Sequence, residues 1–147
     1  MKPYLLALLS VGALAATGCS TDSDPATTAS TLASVTAPTL PVVTENFSGT
    51  VQPGSNDAHT FTVTANNAAI SLTLTSAGPP ATIAVGFGVG QTVANSCQLL
   101  SGGFGTYIAA AAPQLQGTIP SGTYCVMVYD VGNQSAAITY TVVISHY

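Results

Sequence analysis

The chain has 147 residues, 47% of them hydrophobic and only 4% charged, so it holds enough apolar material for one packed core and lacks the high net charge of a disordered chain. Its one Lys or Arg is Lys2, against five acids at Asp22, Asp24, Glu45, Asp57 and Asp130. Nucleic-acid binding and polybasic attachment to a membrane surface both need cations facing phosphates, and this composition excludes them.

Residues 1–19 read MKPYLLALLSVGALAATGC. Lys2 precedes an apolar run from Tyr4 to about Ala16, shorter than the roughly 20 residues of a spanning helix and of the length of a signal-peptide core. The order Ala16-Thr17-Gly18-Cys19 resembles the lipobox of bacterial lipoproteins, with Ala16 where that family usually carries Leu. The resemblance implies removal of residues 1–18 and acylation of Cys19. Two or three acyl chains give a stable hold on a bilayer, where one chain would not. An ordinary secretory signal cut near Ala16 or Gly18 is the alternative. Ser20 follows the cysteine, and the lack of Asp there resembles the outer-membrane sorting pattern of enteric bacteria. The expected address is therefore the cell envelope, lipid-anchored, on the outer membrane of a two-membrane cell and facing periplasm or exterior.

Residues 19–43 are dominated by Ser, Thr, Ala and Pro and show no hydrophobic period. Such a segment cannot bury enough apolar area to offset its chain entropy, so it reads as a lipid-anchored flexible spacer. A glycosylated stalk has the same composition.

Residues 44–147 change to alternation and read as one domain. His59, Phe61 and Val63 share a face opposite Thr60, Thr62 and Thr64. Ile70, Leu72 and Leu74 alternate with Ser71, Thr73 and Thr75, and Ile83, Val85, Phe87 and Val89 with Ala84, Gly86, Gly88 and Gly90. The run over 124–130 is apolar on both faces, as a central strand would be, and it sends Tyr124 and Tyr129 to opposite sides. Ile138, Tyr140, Val142 and Ile144 form the last such face. Period two over several segments argues half-buried strands. Turn residues at Pro53-Gly54-Ser55-Asn56, Asn66-Asn67, Gly78-Pro79-Pro80, Pro120-Ser121-Gly122 and Gly132-Asn133-Gln134 separate them. No helix is expected: the alanine run after Ile108 is short and ends at Pro113. The pattern predicts an all-β antiparallel sandwich of about 7–8 strands. With Cys19 taken by lipid, Cys97 and Cys125 are left to pair as a disulfide in an exported protein.

The stretch Ala58-His59-Thr60-Phe61-Thr62-Val63, the run PSGTYCVMVYD over 120–130 and the run AITYTVVIS over 137–145 together resemble the bacterial pre-peptidase C-terminal (PPC-like) domain. That resemblance implies a jelly-roll-like sandwich, of a kind often appended to secreted proteases. Some relatives hold calcium with clusters of acids. Here only Glu45, Asp57 and Asp130 lie in or near the domain, too few for the six to eight oxygens calcium takes, so no metal or cofactor is expected.

Catalysis is not expected either. His59 and His146 are the only imidazoles. Asp57 lies on the same strand face as His59, but no GxSxG elbow accompanies them. Asp57 is expected to shape the turn at Asn56-Asp57, and His146 to be solvated or frayed. Three acids are a thin basis for paired-carboxylate chemistry. The glycines of Gly86-Phe87-Gly88-Val89-Gly90 lack nucleotide-loop spacing and are expected to let a backbone or bulky side chain approach. The best contact surface in the sequence is the Gly-rich stretch 101–107, read as a loop that offers Phe104 and Tyr107. The absence of Trp weighs against a specialised sugar platform. The overall expectation is a membrane-anchored, non-catalytic binding or structural module whose partner is an envelope polysaccharide or protein. The alternative is an accessory module that anchors or assists a separate secreted hydrolase.

Overall fold

The structure, a computed structural model, describes residues 40–147; Cys19, the 1–18 leader and most of the 19–43 spacer lie outside them. Eight strands follow in order: β1 Val43–Val51, β2 Asn56–Val63, β3 Ala68–Gly78, β4 Val85–Val93, β5 Ser96–Tyr107, β6 Leu115–Ile119, β7 Gly122–Tyr129 and β8 Ile138–His146. They form two antiparallel four-stranded sheets, ordered β1-β8-β3-β6 and β2-β7-β4-β5. Apart from the β4–β5 hairpin, every consecutive connection crosses between sheets, which is the two-Greek-key pattern of a jelly roll. No helix occurs among the described residues.

The alternating faces seen in the sequence become the inner faces. Phe61 and Val63 of β2, Leu72 and Leu74 of β3, Val85 and Phe87 of β4, Val126 and Val128 of β7, and Tyr140 and Val142 of β8 are all buried between the sheets. β7 lies between β2 and β4, a central strand as its two apolar faces imply. Loop 108–114 also serves the first sheet. Ala110 and Gln114 donate their amides to the carbonyls of Leu74 and Leu72, and the Gln114 side-chain oxygen accepts from the Leu74 amide. The bonds to Leu74 occupy main-chain groups of β3 beyond the last β6 pair, Leu72 with Leu115.

The stretch 101–107 is not a loop. It belongs to β5, and its two halves differ. Phe104–Tyr107 pair in register with Gly88–Val85, whereas Leu100–Gly103 bulge out of the ladder where Gly90 pairs Leu99. The bulge and the side-chain-free Gly103 and Gly105 erase the period-two signal, and pairing with β4 restores the strand. Phe104 and Tyr107 consequently face opposite ways. Tyr107 turns inward and meets Phe87 edge-on, with ring centroids 6.2 Å apart. Phe104 points outward and is 46% exposed.

The outward glycines of β4 are a floor. A Cβ on Gly86 would strike the Tyr129 ring, one on Gly88 the Phe104 Cβ, and one on Gly90 the Gln98 carbonyl and the Cys97 sulfur. Cys97 of β5 is bonded to Cys125 of β7, the two strands that flank β4. Strands two places apart in a flat sheet stand about 10 Å from one another. The Cα atoms of this pair are 5.8 Å apart, so β5 folds over the outward face of β4 at Gly90.

The bridge closes a loop with a sequence separation of 28, and such a loop is worth about 3–4 kcal/mol in the chain-entropy model. Reduction, or the Cys97→Ser/Cys125→Ser pair, is expected to lower the melting temperature by about 10 °C or more for a domain this size. An unchanged calorimetric midpoint would remove the bridge from the account.

Candidate functional site

Three carboxylate side chains and two imidazoles fall within the described residues, and each has a partner within the domain. Asp130, just past β7, gathers a turn. Its Oδ2 accepts the Gly54 amide at 2.7 Å and its Oδ1 accepts the amides of Gly132, Asn133 and Gln134. The Gly54 amide, followed by the other three, holds this carboxyl below its ordinary value against the opposing effect of desolvation. A depressed carboxyl stabilises the fold above its unfolded value, and the turn loosens as pH falls through the folded one. Asp130, and not Asp57, therefore ties down the β1–β2 turn.

Asp57 faces inward at the edge where β1 and β2 meet. The Tyr140 hydroxyl donates to its Oδ2 at 2.8 Å, and His59 Nε2 lies 2.9 Å from the same hydroxyl. Burial first, then the Asp57 carboxylate, pushes the Tyr140 phenol well above its ordinary value, so it stays a donor. Its one proton goes to Asp57, which leaves its oxygen to accept from His59 Nε2–H and sets that tautomer. Phe47 of β1 stacks on the His59 ring at 5.0 Å. Gly49 leaves the space: a Cβ there would strike Asp57 Oδ2 and lie 2.6 Å from the Tyr140 hydroxyl.

His146 is neither solvated nor frayed. It is 3% exposed, donates from Nε2 to Glu45 Oε1 at 3.0 Å and packs against Phe61. It is the last residue of β8, and the β1 register that places Val43 opposite it secures that end. The β1–β2 edge is thus lined from Glu45 and His146 to Phe47, His59, Tyr140 and Asp57, alternating charge, ring and hydroxyl. Neither imidazole hydrogen-bonds to a serine hydroxyl or a thiol: His59 meets the Tyr140 hydroxyl, and His146 meets Glu45 and the Tyr147 carbonyl. Among the described residues no three His, Cys, Asp or Glu side chains are placed to hold a metal, and no helix is long and apolar enough to cross a membrane.

The surface best suited to contact is the outer face of the second sheet. Antiparallel partners lie on the same side, so Tyr129, Gly86 and Thr106 form one row, Met127, Gly88 and Phe104 the next, and Cys125, Gly90 and Leu99 a third. Tyr129, Met127 and Leu99 are half-buried and Phe104 is exposed. Exposed Thr60, Thr62, Thr106 and Thr123 border this strip, and no ionisable carboxylate, imidazole or cation stands on it. Phe104, the candidate contact residue of the sequence, is here exposed. Tyr129 is an aromatic that the parity of the 124–130 run already puts on the side away from the core, whereas Met127 and Leu99 were not singled out. The bulge residues Ser101, Gly102 and Gly103 lie elsewhere, against β6, where they line a cavity of about 200 Å³ with Leu72, Val89, Leu100 and Leu115.

Tyr140→Phe removes one hydroxyl and leaves Asp57 and His59 facing a gap. Its expected cost is about 1–3 kcal/mol in urea unfolding, the range for stranding half-buried polar groups. A loss under about 0.5 kcal/mol would mean that the edge network does not hold the two sheets together.

No family model matches the sequence, and no curated protein matches it. Among solved structures the chain is similar to the crystal structure of Aeromonas hydrophila PliG, a periplasmic lysozyme inhibitor of g-type lysozyme. The identity is 15%, over 71% of this chain and 86% of that one, with a TM-score of 0.44.

Proposed function

We propose that this protein is an exported lipoprotein, cut before Cys19 and acylated there, which displays a non-catalytic, PPC-like β-sandwich as a binding module of the bacterial cell envelope. One observation carries the binding reading. The ionisable side chains of the domain are tied to partners within the fold, while an uncharged strip around Phe104 is left open to solvent. A catalytic site needs ionisable groups turned toward a substrate. Here Asp57 and His59 of the second sheet turn toward Tyr140 of the first, Glu45 and His146 meet each other, and Asp130 holds a turn, while what faces outward on the second sheet is contact area.

Export is supported by the Cys97–Cys125 bridge, since such bridges persist in oxidising compartments. The anchor is supported by the Ala16-Thr17-Gly18-Cys19 order and by a third cysteine that the bridge leaves over. The Ser/Thr/Pro-rich spacer that follows would let the sandwich reach a partner beyond the bilayer surface.

Intact-mass and N-terminal analysis of protein extracted from bacterial membranes tests the anchor. The expected product begins at Cys19 with a di- or triacyl adduct, and Cys19→Ala moves the protein to the soluble fraction. An unmodified N-terminus generated near Ala16 or Gly18 would replace the anchor with plain secretion.

A further inference from the structure

We propose that the outer face of the second sheet binds a neutral glycan, with Phe104 and Tyr129 as stacking surfaces and the bordering threonines as hydrogen-bonding groups. This rests on the binding-module reading and names its ligand. The first support is ring placement. Gly86 gives the Tyr129 ring room on β4, and Gly88 lets the Phe104 backbone and Cβ come close from the other side, one row on, with the exposed Phe104 ring beyond. The Tyr129 ring lies where a Gly86 Cβ would stand, so it rests along the sheet. A ring held in this way presents a face, and the flat C–H side of a pyranose packs on an aromatic face.

The second support is charge. The described residues carry three carboxylates and no Lys or Arg, so a polyanion is repelled by the domain as a whole and has no cation to pair with on the strip. A neutral sugar chain meets no such penalty. The third is polarity. Thr60, Thr62, Thr106 and Thr123 bring exposed hydroxyls to the border of the apolar rows, each able to donate and accept. A hydrophobic protein partner would bury these hydroxyls with fewer matching groups, whereas a sugar carries hydroxyls around an apolar face. The disulfide over Gly90 holds β5 down on β4 beside the rows, so little ordering is needed on binding.

The test uses the whole mature chain with Cys19→Ser, isotope-labelled and titrated by NMR with cellohexaose, chitohexaose and the polyanion polygalacturonate. Shifts confined to β4, β5 and β7 are expected with at least one neutral oligosaccharide and not with polygalacturonate. Phe104→Ala is expected to weaken that binding about tenfold, in line with the loss of one stacked ring. Phe104 contributes nothing to the core, so the variant should keep its melting temperature, which separates lost contact from lost fold. Three results overturn the inference: no neutral oligosaccharide shifts this face, polygalacturonate binds as well, or Phe104→Ala binds unchanged. An envelope protein cross-linked to this face in cells, with no oligosaccharide binding, would overturn the glycan and leave the module reading standing. Failure of both kinds of partner would remove that reading as well.

Discussion

The structure depends on three missing Cβ atoms. Strand β4 is flanked on both sides, by β7 and β5, and its inward residues Val85, Phe87 and Val89 fill the core. Its outward residues Gly86, Gly88 and Gly90 leave a bare strip of backbone in the middle of the second sheet. Glycine in a strand interior costs conformational entropy and gives up packing. Here neighbours recover that loss: Tyr129 covers Gly86, Phe104 covers Gly88, and the Cys97–Cys125 bridge crosses at Gly90. All three glycines are buried although they point away from the core. The same absence of side chains thus admits the disulfide that limits the unfolded chain, seats the Tyr129 ring and lets Phe104 approach β4 at its Cβ.

Charge follows a separate economy. A domain without Lys or Arg cannot neutralise its acids with ordinary ion pairs, so each carboxylate finds another kind of partner. Asp130 uses four backbone amides, Asp57 a buried phenol backed by His59, and Glu45 the imidazole of His146. Two of these arrangements stand on the β1–β2 edge, where a jelly roll would otherwise open to water between its sheets. Asp57, His59, Glu45 and His146 thus bridge the strands that meet along this edge. Tyr140 stands between His59 and Asp57 and hydrogen-bonds to both, while the two side chains themselves lie 3.8 Å apart.

Much of the fold was legible in the sequence because most strands bury one face. The alternations beginning at His59, Ile70, Ile83 and Ile138 point to the observed core, and the two-faced apolar run at 124–130 is the central β7. The bridging of Cys97 and Cys125 followed from counting, and the role of the β4 glycines from their parity. What escaped has a common cause. In β5 the alternation is broken by a bulge and by glycines whose neighbours lie on β4, so the strand reads as a loop and Phe104 and Tyr107 seem to share a surface. His146 looks frayed because its partner, Glu45, is 101 residues away and reaches it only through the β1–β8 register. Asp57 looks like a turn residue for the same reason: Tyr140 is distant in sequence and opposite in space. Local pattern predicts which face is inside, and long-range register decides which polar groups meet there.

The central claim is that the β4 glycines exist to be covered. A double-mutant cycle on Gly86 and Tyr129 reads this directly, because the three atoms nearest a Gly86 Cβ all belong to the Tyr129 ring. Gly86→Ala alone is expected to destabilise the domain by about 1–3 kcal/mol, as overpacking does. In a Tyr129→Ala background the same change should cost little, which gives a coupling of about 1 kcal/mol or more by urea unfolding. Additive effects within about 0.5 kcal/mol would show that the ring does not rest on Gly86 and would contradict the account.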